Sequence, residues 1–360
     1  MPLTPEDPIR RIAVIGGGAW GTALATVARR AGREVVLWAR DPKVVDAVNA
    51  DHANPAFLPG LRLDPAIRAT TDPAEALAGA EAVLLVVPSQ FLRGVVRRLG
   101  AHVPARAPLV ICAKGIEAGT GLLMSEMMAE ELPGRPLAVL SGPTFAAEVA
   151  QGLPTAITLA TAESIDRART AAASTGARLV LALGTPSFRP YLSDDLIGAE
   201  VGGAVKNVLA IACGIAEGRG MGANTRASLI TRGIAEIARL AAAKGGRPQT
   251  LMGLSGLGDL TLTCSNTQSR NMSFGLALGR GETREQALAG RRAVVEGIAN
   301  AASVTALARR LGVDMPICAA VDAILHHGMP IDDAIRGLLD RPWRAEPADL
   351  DLVLKPPRPL

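Results

Sequence analysis

The chain has 360 residues, 49% hydrophobic and 20% charged, with 38 basic against 34 acidic side chains. That length exceeds one compact domain and suits two, and the composition excludes a disordered chain. The net charge of +4 is spread along the chain and aromatics are only 2%, so no nucleic-acid partner is expected, since such binders concentrate their bases and add stacking rings. Apolar runs such as Ala82–Val87 fall well short of the ~18 residues of a spanning helix, so no membrane span is expected either. The start, with acids and prolines, lacks a signal peptide's pattern, which points to the cytoplasm. The four cysteines are dispersed without a CxxC pair, and neither a metal site nor a disulfide framework is expected.

In chain order, Arg11–Gly16 reads as a buried strand, Trp20–Ala31 as a helix and Glu34–Ala39 as a second strand. A helical stretch follows Asp41-Pro42, and a loop spans about Asn54–Asp64. Strands are predicted at Ala82–Val87, Leu109–Ala113, Leu137–Leu140, Ala156–Ala160 and Leu179–Leu183, with helices between most of them. Fully apolar strands alternating with helices imply a mostly parallel sheet covered on both faces. From Asp194 the apolar residues recur at helical spacing: Leu196–Ala216, Asn224–Lys244, Arg270–Leu278, Val304–Leu311 and Ile317–His327 read as helices. The expected division is an α/β dinucleotide-binding domain over 9–192, an all-helical domain over 193–341 and a Pro-rich tail over 342–360, loosely packed or mobile.

Gly16, Gly18 and Gly21 form G-x-G-x-x-G between a predicted strand and helix. In that setting the first glycine permits the turn, the second lets the backbone approach a pyrophosphate, and the third lets helix and strand pack closely. After the second strand stands Arg40, which suits the 2′-phosphate of NADP(H), followed by Asp41, which leaves NAD(H) open. Arg40 as a surface residue and Asp41 as a helix cap before Pro42 are the plainer alternatives. NADPH is the expected preference.

Lys206 is the lone charge in Val201–Ala216, a segment apolar nearly all round and hence expected to be buried. Burial lowers an amine's pKa, and a lysine so tuned can exchange a proton near neutral pH. Gly202 and Gly203 beside it are expected to leave room for a ligand. Asp259, the lone charge in Gln249–Ser269, is the natural partner across a helix interface, or else a cap. Lys114 ends a predicted strand, where ligands of open parallel sheets bind, and the backbone of Ser141-Gly142-Pro143-Thr144 is expected to line the same crevice. Ser269-Arg270-Asn271 opens a helix and offers a phosphate cradle, or an ordinary capped start.

These pieces resemble the bacterial NAD(P)-dependent glycerol-3-phosphate dehydrogenases from about Ile9 to Arg341. The likeness is carried by GGGAWGTALA (16–25), VVLWARD (35–41), VVPS (86–89), AKGIE (113–117), SGPTF (141–145) and GGAVKNV (202–208) in the first part. It continues in GANTRASLITRG (222–233), GLGDLTLTC (256–264), SRN (269–271) and VVEG (294–297). The resemblance implies a Rossmann domain followed by a helical domain like that of 6-phosphogluconate dehydrogenase. It implies reversible reduction of dihydroxyacetone phosphate to sn-glycerol 3-phosphate for phospholipid synthesis, and suggests a homodimer. Carried over position by position, Lys206 is the proton donor and acceptor, supported by Lys114 and Asp259. Lys114, Gly142, Thr144, Lys206, Asn207, Asp259, Ser269, Arg270 and Asn271 would contact substrate. Gly16, Gly18, Ala19, Trp20, Gly21, Arg40, Lys114, Ala146, Arg270, Val294 and Glu296 would contact the cofactor. Two rival readings remain at this level: a dehydrogenase of another hydroxy acid, lacking the phosphate cradle, and a dinucleotide sensor without chemistry.

Overall fold

The computed structural model describes residues 8–164, 174–291 and 293–342, together with the backbone of 343–344 and 353–354. Most of the Pro-rich tail lies outside the described residues. Within the tail, Trp343–Arg344 pairs antiparallel with Val353–Leu354.

Among the described residues, the first half carries ten strands. β1 (Arg11–Ile15) and β2 (Glu34–Trp38) flank helix α1 (Ala19–Arg30). The stretch expected to be a loop instead carries a small hairpin, β3 (Ala53–Asn54) against β4 (Leu58–Arg62). Then come β5 (Arg68–Thr70), β6 (Ala82–Leu85), β7 (Leu109–Ile111), β8 (Leu137–Ser141), β9 (Thr155–Thr161) and β10 (Phe188–Ser193). Eight of them form one sheet in the order β10-β9-β8-β7-β6-β1-β2-β5, parallel at every pairing except β8 with β9. The chain runs outward from β1 through β2, then restarts on the other side at β6, so the strand order reverses at β1 and β6 and opens a crevice at their carboxyl ends. Ile15 lies beside Leu85 and Leu85 beside Ile111, so Gly16, Val86 and Cys112 emerge at one level.

Alternation along β1 divides the core into two layers, as a period of two requires. Ile12 and Val14 pack with Leu24 and Val27 of α1 on one face. Ala13 and Ile15 pack on the other with Leu92, Val96, Met124 and Met127.

Leu179–Leu183, expected as a strand, is the end of a helix, Thr175–Leu183. Ser174 caps it, its hydroxyl accepting from the amide of Ala177 at 3.2 Å. Leu179, Ala182 and Leu183 are buried while Leu181 is exposed, the spacing of one helical face. A five-residue apolar run cannot distinguish the two structures by itself. The strand falls instead on β10, whose Arg189 and Pro190 conceal it; a proline is tolerated there because β10 is the sheet's edge.

In the second half every residue of Leu196–Gly218 between Gly198 and Ala216 is buried. By length and composition this helix could cross a membrane, but 83% of its apolar window is buried inside the protein. Asp195 caps its start, accepting from the amides of Gly198 and Arg247, each at 2.9 Å. The helix Arg270–Gly279 crosses it backbone to backbone. A Cβ on Gly214 would lie 2.2 Å from the Met272 carbonyl oxygen, and one on Gly275 would lie 2.2 Å from that of Ile211. The helices Gly222–Ala243, Glu296–Arg310 and Pro316–His326 complete the shell around it. Glu200 joins the halves: it accepts from the amide of Ser125 at 2.8 Å and from its hydroxyl, and burial pushes its carboxyl up to about 7.

Candidate active site

The turn after β1 has the geometry that its three glycines imply. Gly16 has φ +128°, and a Cβ there would lie 2.8 Å from the Val86 carbonyl oxygen. A Cβ on Gly21 would sit 1.8 Å from the carbonyl oxygen of Gly16, so turn and helix touch. A Cβ on Gly18 would meet nothing within 4 Å. Gly18 is also the N-cap of α1, with no side-chain cap and no acid in the first turn, which leaves backbone N–H groups facing an open approach. An anionic pyrophosphate fits that arrangement. Ala19 and Trp20 are part-buried beside it, and the indole N–H of Trp20 is buried without a partner. Arg40 is exposed after β2. Asp41 caps the following helix, Pro42–Asp46, accepting from the amide of Lys43 at 3.0 Å, which is the plainer of its two readings. Ala146 is part-buried at the head of the helix Ala146–Gln151 and Val294 is exposed.

The isolated charges converge. Asp259, with no exposed surface, binds Lys206 through Oδ1 and Lys114 through Oδ2, the latter at 2.8 Å. Lys206 is 6% exposed, and its Nζ also donates to the hydroxyl of Thr263 at 3.0 Å. The Lys114 Nζ donates further to the Gly142 carbonyl at 3.1 Å, which brings the loop after β8 to the lysines as expected. Thr144 donates to the same carbonyl at 3.2 Å. Burial pulls the Lys206 ammonium down to about 8, Lys114 adding to the effect and Asp259 opposing it. One turn of π-helix, Leu254–Gly258, delivers Asp259 to the first position of the helix Asp259–Ser265.

The expected space beside Lys206 is closed. A Cβ on Gly202 would lie 2.4 Å from the Ser255 carbonyl oxygen, and one on Gly203 2.8 Å from the Ser141 hydroxyl. Those glycines let the Lys206 helix press against its neighbours instead of making room for a ligand.

Around the lysines runs a chain of carboxamides. The side-chain amide of Asn271 donates to the Asn207 side-chain carbonyl at 2.9 Å, and its own carbonyl accepts from the Gly297 amide at 2.9 Å. Asn207 in turn donates to the Lys114 carbonyl at 3.4 Å. Ser269 caps the helix Arg270–Gly279, its hydroxyl accepting from Met272 at 3.2 Å, while Arg270 is exposed at the helix start. Desolvation pushes the Glu296 carboxyl above its ordinary range, against the pull of Arg270, Lys114 and Lys206. Glu296 is the first residue of the helix Glu296–Arg310.

Two residues here escape a reading based on charge. Thr263 shares a helix face with Asp259, four residues away, and that spacing was its one signal. Asn300 is fully buried and donates to the Lys114 carbonyl at 3.0 Å.

Family models describing the NAD-dependent glycerol-3-phosphate dehydrogenase N-terminus and C-terminus match residues 11–166 and 195–336. The chain belongs to that family. It is 59% identical over 338 residues to a glycerol-3-phosphate dehydrogenase [NAD(P)+] of Rhodospirillum rubrum, spanning 94% of each chain. A relative of the same name from Paramagnetospirillum magneticum is 66% identical over 266 residues, 74% of this chain and 93% of that one. Among solved structures, the glycerol-3-phosphate dehydrogenase of Coxiella burnetii superposes with a TM-score of 0.86 at 40% identity, over 92% of this chain and 99% of its own.

Proposed function

We propose that this protein reversibly reduces dihydroxyacetone phosphate to sn-glycerol 3-phosphate with NADPH, providing the backbone of glycerophospholipids. The observation that carries the reading is the buried carboxylate of Asp259 bridging Lys206 and Lys114 at the carboxyl end of the sheet. When bound, the reduced nicotinamide supplies a hydride to the ketone carbon.

Charge then grows on the carbonyl oxygen. Lys206 holds the proton that this oxygen takes, at an Nζ whose affinity burial has brought near neutrality. Asp259 and Thr263 orient that ammonium, and Lys114 lends a second positive charge. In the oxidative direction the neutral amine of Lys206 accepts the same proton. Arg270, with Ser269 and Asn271 at the helix start, takes the phosphate and so fixes the position of the reacting carbon. Gly18 and the open amides of the first turn of α1 would hold the coenzyme's pyrophosphate, and Arg40 would hold a 2′-phosphate, the basis for preferring NADPH over NADH.

The reading is tested by following reduced-coenzyme absorbance with dihydroxyacetone phosphate, with inorganic phosphate as competitor. Oxidation that requires the phosphorylated ketone and is inhibited by phosphate supports it. Equal turnover of unphosphorylated 2-keto acids would point to a hydroxy-acid dehydrogenase.

A further inference from the structure

Lys114 lies three residues past the end of β7, on a stretch without regular secondary structure, so the sheet's own ladder does not fix it. Its carbonyl accepts from Asn300 at 3.0 Å and, at the longer distance of 3.4 Å, from Asn207. The same Asn300 side-chain nitrogen donates at 3.1 Å to the carbonyl of Ala204, two residues before Lys206 on the long helix. Ala204 lies inside that helix, where the ladder already supplies its carbonyl with a donor. The Asn300 bond is therefore additional to what satisfying that group requires. Asn300 leaves its own side-chain oxygen buried and unpaired, which an apolar residue would avoid. Gly115 makes the approach possible: a Cβ there would lie 2.8 Å from that oxygen and 2.1 Å from the Ser89 hydroxyl.

We propose that Asn300 is a positioning residue, whose side-chain amide ties the Lys114 carbonyl to the Ala204 carbonyl and holds both lysines at the separation that the Asp259 carboxylate spans. It touches neither ammonium and acts through the two backbones that carry them. Nothing assigned to Lys206 above requires this tie, but the inference rests on that proton-transfer reading. The charged and titratable groups around Lys206 are Asp259 and Cys264 from the helix Asp259–Ser265, Lys114 from the segment after β7, and Glu296, with Arg270 beyond it. Of these, only Lys114 is bound by Asn300. If the tie is cut, Lys114 withdraws, its repulsion on Lys206 weakens and Lys206 keeps its proton to higher pH.

The test uses the full chain with Asn300→Ala and Asn300→Ser, each also combined with Lys114→Met. For either single variant, kcat for ketone reduction is expected to fall about tenfold or more, as for a small misplacement of a reacting group, with KM for NADPH little changed. The alkaline limb of kcat is expected to move to higher pH, and in the Lys114→Met background the same substitutions are expected to move it no further. A second readout needs no turnover: the pH dependence of Lys206 acetylation by acetic anhydride in the unliganded protein, followed by peptide mass spectrometry, shifts upward in the single variants. A limb and labelling profile that superpose on the parent, or a shift that persists undiminished without Lys114, overturns the proposal. The same labelling read on a variant too unstable for kinetics, at a temperature where it is folded, decides the case. Failure of the Lys206 reading looks different: Lys206→Ala then keeps its turnover, while the labelling result for Asn300 stands unaffected.

Discussion

Two glycine-rich stretches look interchangeable on paper, and the fold uses them in opposite ways. Gly18, ahead of α1, faces nothing within 4 Å. Gly202, four residues before Lys206, is pressed against the Ser255 carbonyl, 2.4 Å from where a side chain would begin. The first leaves a surface bare, where the proposed function seats an anion. The second lets a helix carrying a costly charge lie close enough to the turn before Asp259 for that charge to find its partner. A missing side chain thus signals close approach, and only the neighbour decides whether ligand or protein does the approaching.

The sharpest way to test the division is to remove the charge that the closed stretch serves. Lys206→Met is expected to lower kcat by about 10²- to 10⁴-fold, the range for losing a positioned acid, while coenzyme affinity by fluorescence titration stays near that of the parent. Next come the glycines themselves. Gly202→Ala forces backbone apart and is expected to lower stability by about 1–3 kcal/mol in urea unfolding. Gly18→Ala, with φ −76° and open surroundings, is expected to change stability by less than about 0.5 kcal/mol. Its effect falls on coenzyme binding, with Kd rising on the order of tenfold, or about 1.4 kcal/mol. If the two alanines prove equal in both measurements, the comparison fails.

A pH series sharpens the same contrast. With Lys206 as the proposed proton donor, kcat for reduction is expected to fall as pH rises through about 8, and oxidation of glycerol 3-phosphate to rise over that interval. The smallest effect expected is at exposed Arg40: Arg40→Asp should move the ratio of kcat/KM for the two coenzymes toward NADH without altering kcat.

Most of the sheet was legible because its strands are apolar on both faces, a pattern that Ile12–Ile15 of β1 and all of β6 show. Leu179–Leu183 is helix where a strand is expected, because a short apolar run fits both, and β10 escapes a sequence reading because Arg189 and Pro190 hide an edge strand. The bridging of Lys206 and Asp259 was legible for a simple reason: a single charge in a long apolar segment must find a partner. Its second partner, Thr263, and Asn300 carry no charge and stand among small residues, so composition gave no contrast to notice. Whether Asp41 served a ribose or a helix start could not be decided by residue type, since one carboxylate suits both tasks. Its bond to the Lys43 amide places it at the helix start.

Asp259 accepts one lysine from the sheet half and one from the helical half. On the proposed role of this bridge, neither half holds a competent centre alone, and turnover is expected to report whether they are seated together. Mild urea that loosens this seam should silence the enzyme while circular dichroism still records its full helical signal.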